Sequence, residues 1–445
     1  MTVLFAGDWA KHPGSSIHYE TKNKSFIRLA TLYYEMGIKN CAFLLALLDP
    51  SLKHVDPHAD DLTPVQQQAV IRECKRNFWY FVREVVRVDS PGSMAGASFS
   101  ANRSNVALFW LYLNHITTIN TVIRQTGKST NILTIMEWLL TGGTVGSQIG
   151  LLTKDAGLRA KTMAGLKEMF EYLPEYLNVA AKSDVFNSEV ASVSALDNIV
   201  YGIVSNSSPK MADKVGRGFT IANLFVDEVA FIENIEIALS AISMTGNAAR
   251  TMHKERGKPY GTIMATTAGD IDSRDGKFVY GLLNNATLFS EMFFDTKNEE
   301  DLIKVILQNS SAKEKKDRKL IVNLTMTYRQ MGLSDEWMKE KIRDTQSTDE
   351  NRERDLFNKW ISGTGSSPLP EADRRAIEAS EVDDPRIQLY DPYAYVMRWY
   401  VSEEEFKTKQ AMGHHGIIGA DTSDGIGRDG NTFYIRDHAT GEILC

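Results

Sequence analysis

Apolar residues recur every three or four positions through residues 25–36 (SFIRLATLYYEM) and again through 65–88. That period predicts amphipathic helices and makes residues 1–90 an accessory helical segment. The Gly/Ser/Ala-rich stretch 89–100 (DSPGSMAGASFS) interrupts the period and marks a boundary or a mobile loop. From there to about residue 290, β-branched or continuous apolar runs alternate with helical spacing. Strands are expected at 116–123 (ITTINTVI), 148–153 (QIGLLT), 201–205, 221–226 (IANLFV) and 261–266. Helices are expected at 131–140 (NILTIMEWLL) and 154–172, the second closed by Leu173-Pro174. Such alternation predicts an α/β fold with a mainly parallel sheet and helices on both faces. Residues 296–360 read as helical and highly charged, 363–370 (GTGSSPLP) as a linker, and 416–422 and 432–437 as strands joined by a Gly/Asp turn.

Composition narrows the class. A chain of 445 residues with 43% hydrophobic and 24% charged content can bury more than one core. Its formal charge of −7 gives no blanket attraction to nucleic acid, so any such contact must come from local basic patches. The most basic run, 311–319 (SAKEKKDRK), reads first as a solvated helix face and second as a DNA contact. Three widely spaced cysteines, Cys41, Cys74 and Cys445, suit a reducing compartment without a disulfide framework. His54 and His58 lie between the first two, but with no C-x-x-C pair beside them no zinc site is expected. The longest apolar run, 41–48 (CAFLLALL), is far short of the roughly 20 residues that a membrane span needs.

Chemistry enters at Arg124-Gln125-Thr126-Gly127-Lys128-Ser129-Thr130, which lies between an expected strand and an expected helix. Gly-Lys-Ser in that context reads as a phosphate-binding loop. Backbone N–H groups and the first helical turn would face the phosphates, Lys128 would add a point charge, and Ser129 would hold Mg²⁺. The usual loop has a glycine five residues before Gly127, where this chain has Val122, so an ordinary strand-to-helix turn is the competing reading. The run 221–226 leads into Asp227-Glu228, which places two carboxylates at the carboxyl end of a buried strand, the edge where open α/β sheets bind ligands. Asp227 would hold the metal and Glu228 would orient or deprotonate an attacking water. A further strand, 261–265, ends in Thr266-Thr267, whose hydroxyls could sense loss of a γ-phosphate or simply make a Ser/Thr turn.

In order and spacing, RQTGKST, LFVDEVAF preceded by Arg217-Gly218, and TIMATTAGD resemble the ATPase of the large terminase subunit of tailed bacteriophages, a DNA-packaging motor. The segments 77–88 (NFWYFVREVVRV), LPEYL and 351–370 (NRERDLFNKWISGTGSSPLP) are also similar to segments of that family. Its phosphate loop reads Arg-Gln-x-Gly-Lys-Ser/Thr without the first glycine, so the resemblance makes Val122 an expected feature. It implies a P-loop NTPase (RecA/ASCE-like) core with helical N-terminal and lid segments. Gln125, Thr126, Gly127, Lys128, Ser129, Thr130 and Asp227 would then bind ATP and Mg²⁺, and Glu228 would hold the water. Arg124 would act as an arginine finger in cis, and Thr266 and Thr267 would couple hydrolysis to DNA movement. The adenine-reading glutamine of the family is replaced by Asn102, Arg103 and Asn105, which leaves base recognition unassigned.

The same resemblance implies double-stranded DNA, a portal protein and a small terminase subunit as partners. It also implies a homo-oligomeric ring at the procapsid portal in the host cytoplasm, with no membrane and no place in the mature virion. A helicase-type translocase and a non-catalytic assembly remnant are the rival readings. Residues 416–437 resemble the first hairpin of an RNase H-like nuclease domain, in which Asp421 matches the first metal-binding acid and Asp429 is a second candidate for Mg²⁺ or Mn²⁺. The other acids that follow, Asp424, Asp437 and Glu442, lie in or beside one hairpin, and a two-metal site needs several converging carboxylates. The expectation is therefore a fragment of a longer frame, cut by an intein beginning at Cys445, by an intron or by an incomplete record, with no endonuclease activity of its own. The expected domains are 1–90, an ATPase core over 91–295, a helical lid and linker over 296–405, and the start of the nuclease domain over 406–445.

Overall fold

The structure, a computed structural model, describes residues 2–90, 92–312, 318–344, 349–361, 387–390, 396–421 and 432–445. Its centre is an eight-stranded sheet of β1 (Thr117–Thr121), β2 (Ser147–Thr153), β3 (Val190–Val193), β4 (Asn198–Val204), β5 (Ile221–Asp227), β6 (Gly261–Thr266), β7 (Thr287–Leu288) and β8 (Ile321–Thr325). The spatial order is β7-β8-β1-β6-β5-β2-β4-β3. All neighbours are parallel except β3 and β4. Every residue of β5 and β6 is buried, as strands covered on both faces require, which is why their sequences read as near-continuous apolar runs. Strand β6 lies between β1, which leads into the Gly-Lys-Ser loop, and β5, which ends in Asp227. The fold is α/β, a mainly parallel sheet flanked by helices.

Six helices bear on the site and its surroundings: α1 (Pro64–Arg76), α2 (Arg103–Leu113), α3 (Lys128–Trp138), α4 (Ile235–Glu255), α5 (Asp335–Asp344) and α6 (Asp349–Phe357). Helix α4 lies tight on β5, since a Cβ at Gly246 would meet the Ile221 carbonyl oxygen at 2.5 Å. The first hundred residues share one hydrophobic core with the sheet. Phe294 packs against Tyr33, Phe43 and Trp110 at centroid distances of 5.1–5.3 Å, and the Trp110 indole N–H donates to the Leu4 carbonyl at 3.1 Å.

Strand β8 corrects the helical reading of residues 296–360. Its sequence, IVNLT, buries only alternate residues, and a five-residue alternation inside a charged stretch offers little contrast with helical spacing. Strands Ile387–Tyr390 and Val396–Trp399 likewise pair antiparallel in a region read as lid and linker. The expected linker 363–370 and most of the basic run, 313–317, lie outside the described residues. Strands Gly416–Asp421 and Thr432–Asp437 form the expected antiparallel hairpin, with Asp421 opposite Thr432. Asp429 and the Asp421 side chain lie outside the described residues.

Candidate functional site

Parallel register brings the chemistry to one edge. Ala265 of β6 aligns with both Asn120 and Asp227, Thr266 aligns with Thr121, and Thr153 aligns with Asp227, so the carboxyl ends of β1, β2, β5 and β6 are level. Beyond β1 the chain turns through Gln125 (φ 64°) and Gly127 (φ 85°), both left-handed, before entering α3. Changes of hand of this kind turn successive N–H groups into a concave anion-binding nest, and only glycine adopts such a φ without strain. Gly127 offers α3 no side-chain cap, which leaves the first-turn N–H groups to a ligand. The Thr126 hydroxyl donates to the Ile123 carbonyl at 2.7 Å and fixes the turn. Val122 is buried in the core, and its N–H donates to the Thr266 carbonyl at 3.1 Å.

Four side chains meet in two short pairs. The Lys128 ammonium donates to Glu228 Oε1 at 2.7 Å, and the Ser129 hydroxyl donates to Asp227 Oδ2 at 2.7 Å. Burial raises the Asp227 pKa, against the Ser129 hydrogen bond and the Lys128 charge, which lower it. The other oxygen, Asp227 Oδ1, is buried with no hydrogen-bond partner. A buried orphan carboxylate oxygen beside a serine hydroxyl is a hard-oxygen donor set that fits Mg²⁺, an ion usually held by one or two carboxylates plus substrate phosphates. Among the described residues no group of three or more His, Cys, Asp or Glu could hold a metal by itself.

Glu228 takes a left-handed conformation (φ 60°), a strained state for a non-glycine residue that bends the chain off the strand axis. Its Oε2 lies 3.4 Å from the Thr267 N–H and 3.5 Å from the Thr267 hydroxyl. The Thr266 hydroxyl donates to the Thr267 carbonyl at 2.7 Å and accepts from the Ala230 N–H at 3.3 Å. The two threonines therefore touch the entrance of the phosphate loop, the acidic pair and the turn that follows it. Thr130 sits in the first turn of α3, where its carbonyl accepts from the Thr134 hydroxyl at 2.9 Å.

Arg124 is half exposed and does not point free. Its Nε lies 3.1 Å from Asp355 Oδ2, and its backbone N–H donates to the Asp355 carbonyl at 2.9 Å. Gln125 Oε1 accepts from the Lys341 ammonium at 2.7 Å. Helices α5 and α6 thus cover the loop through Lys341 and Asp355, residues that the sequence did not single out. Beyond α6 the chain closes on the threonine turn: the Ile361 N–H donates to the Gly269 carbonyl at 3.0 Å and the Ile271 N–H to the Ile361 carbonyl at 2.8 Å. The three residues that stand where the family's adenine-reading glutamine is expected are engaged elsewhere, and base recognition stays unassigned. Asn102 and Asn105 cap α2 reciprocally, and Arg103 pairs with Glu291 at 2.6 Å.

No family model and no curated protein matches the chain. Among solved structures it is similar to the ATPase domain of the Thermus phage P74-26 large terminase, at 14% identity and a TM-score of 0.38, over 59% of this chain and 95% of that one. It is similar to the large terminase of another thermophilic bacteriophage in complex with ADP, at 12% identity and a TM-score of 0.34, over 59% of this chain and 54% of that one. It is also similar to the HK97 bacteriophage large terminase, at 14% identity and a TM-score of 0.40, over 85% of this chain and 66% of that one. At these values the fold and the site stand on the strand order and distances given above. All three structures are phage large terminases, the family that RQTGKST, LFVDEVAF and TIMATTAGD resemble.

Proposed function

We propose that this chain is the ATP-hydrolysing motor of a terminase-type packaging machine, which spends nucleotide to move double-stranded DNA into a procapsid. The observation that carries the reading is the contact set in which Lys128 meets Glu228 and Ser129 meets Asp227 at the carboxyl edge of a parallel sheet. The loop N–H groups and Lys128 would bind the β- and γ-phosphates of ATP. Mg²⁺, held by Ser129 and Asp227, would neutralise charge on the phosphate oxygens. Glu228, released from Lys128 when phosphate takes its place, would orient the attacking water and accept its proton. Arg124 would offset charge developing on the transferred phosphoryl group once it leaves Asp355. Thr267, in contact with Glu228, and Thr266, in contact with the loop entrance, would carry the change toward DNA movement.

In this reading the working form is a homo-oligomeric ring at the portal in the host cytoplasm, with the portal protein and a small terminase subunit as partners. The hairpin 416–437 would begin an RNase H-like nuclease domain in which Asp421 and Asp429 hold Mg²⁺ or Mn²⁺. Among the described residues no helix is long and apolar enough to cross a membrane. Lys128→Ala tests the assignment: ATP turnover should vanish while the circular dichroism spectrum and unfolding midpoint stay near those of the parent. Robust turnover by that variant would remove the nucleotide site from this loop.

A further inference from the structure

The strands that carry the nucleotide residues at one end open at the other onto a cleft of 690 Å³. Leu113, Asn114 and His115 line it just before β1, and Gly257 to Tyr260 line it just before β6. The cleft therefore lies at the amino edge of the same two strands, opposite the phosphate loop. Six cationic side chains line it, Lys11, Lys75, Arg76, Lys254, Lys258 and Lys297, against two carboxylates, Asp8 and Glu299. Lys11 is paired with Asp8 at 2.7 Å, while the other five cations form no ion pair among the described residues. On a chain of net charge −7, this concentration is local and not a reflection of composition.

Helix ends explain only part of it. Lys75 and Arg76 occupy the last turn of α1, and Lys254 occupies the last turn of α4. Each helix C-terminus carries about half a negative charge, so two of them offset roughly one cation. The excess that is left is confined to this cleft: a neighbouring one of 380 Å³ shares Lys11 and Arg76 and adds Arg72, but it also adds two carboxylates, Asp49 and Glu73. A compact anion would need one tight cluster, whereas cations brought by four separate stretches of chain, at Lys11, at Lys75 and Arg76, at Lys254 and Lys258, and at Lys297, match an extended polyanion with several charges. On the wall of the first cleft His115 and Tyr260 form a parallel stack, with centroids 3.9 Å apart and 4° between the planes. The His115 Nδ1–H donates to the Tyr260 carbonyl at 2.9 Å, and burial lowers the His115 pKa, so this stack is a neutral, rigid wall among the lysines.

We infer that this cleft at the amino edge of β1 and β6 binds the phosphate backbone of a nucleic-acid strand. The chemistry follows from the cations, and only the choice of duplex DNA as the physiological strand rests on the proposed motor function. Since β1 and β6 each have the cleft at one end and the nucleotide residues at the other, backbone binding would reach the phosphate loop and Thr266 through two buried strands.

The test is anisotropy of a short labelled DNA duplex titrated with the full chain over a range of salt concentrations. It compares the parent with the Arg76→Ala, Lys254→Ala, Lys297→Ala triple variant, all three side chains being exposed. Each lost phosphate contact removes about 0.9 from the slope of log K against log salt, so the slope should become shallower by about 2–3, and affinity at low salt should fall at least about tenfold. ATP turnover without DNA should be unchanged, and inorganic tripolyphosphate should compete only weakly. The inference is overturned if the triple variant binds duplex with the parent's affinity and slope. It is equally overturned if tripolyphosphate displaces duplex at stoichiometric levels, or if the substitutions abolish binding of polyglutamate but not of DNA. A parent that hydrolyses ATP yet binds no duplex overturns the cleft assignment alone. A parent that binds duplex through these residues but turns over no ATP overturns the motor reading and upholds the cleft.

Discussion

Replacing Glu228 with glutamine separates the two jobs that the geometry gives this side chain. Glu228 holds Lys128 at 2.7 Å, with side-chain exposures of 19% and 8% respectively. At an effective dielectric of about 20, the gross attraction at that distance is roughly 6 kcal/mol. Desolvation of a largely buried pair cancels most of it, leaving a net value on the order of 1–2 kcal/mol. ATP must displace that contact to reach Lys128, and a neutral glutamine yields it more readily and removes a negative charge near the triphosphate. Glu228→Gln should therefore bind ATP about 5–30-fold more tightly. It should also turn ATP over about 10²–10⁴-fold more slowly, the usual contribution of a positioned base. Titration of a fluorescent ATP analogue and steady-state phosphate release read the two effects apart. Turnover within a few-fold of the parent would refute the role of Glu228 in hydrolysis. Loss of affinity and turnover together would mean that Glu228 serves only to position Lys128.

Three further outcomes follow from other parts of the structure. Arg124→Ala should lower kcat about 10³-fold with little change in KM for ATP, whereas Asp355→Ala, which only frees Arg124, should not; equal losses in both would make the pair a structural clasp. Gly246→Ala should cost about 1–3 kcal/mol in urea unfolding, because its Cβ would lie 2.5 Å from the Ile221 carbonyl oxygen, and unchanged stability would deny the tight seat of α4 on β5. Glu137 is buried with neither carboxylate oxygen partnered, and desolvation raises its pKa well above 4.5. A folded pKa above the unfolded one means that stability is lost as pH rises beyond 4.5, by up to about 1.4 kcal/mol per unit, until the folded pKa is reached. Glu137→Met should accordingly gain Tm over the parent progressively as pH rises above about 4.5, and a gain that does not vary with pH would contradict the buried, unpaired carboxyl.

What the chain shows directly is what burial writes into it. IANLFVD and GTIMAT are legible as central strands because both faces of each are covered, and Gly127 is legible because its φ requires glycine. The meeting of Lys128 with Glu228 follows from strand order, which alternation of strands and helices constrains but does not fix. Strand β8 escaped because half of its residues face a partly exposed layer and so lack a continuous apolar signature. The contacts of Arg124 with Asp355 and of Gln125 with Lys341 join residues far apart in the chain and at the surface, where no periodicity marks a partner. Asn102 and Asn105 carried a readable signal of another kind, since Asn at an N-cap with an amide three residues on is a capping arrangement and competes with a role in base recognition.

Strand β8 and residue Ile361 together decide where this protein could be trimmed for expression. A recombinant fragment stopped at residue 295, where the strand-helix alternation ends in the sequence, would lack β8 and expose the long side of β1 as an unpaired, largely buried-type strand. Open apolar edges of that kind seed edge-to-edge association, so such a fragment should come out of cells as inclusion bodies. A fragment carried through Ile361 keeps β1 flanked on both sides, keeps Asp355 on the phosphate loop and keeps the backbone bridge to Gly269 and Ile271. That is the shortest piece from which crystals or kinetics of the nucleotide site should be sought.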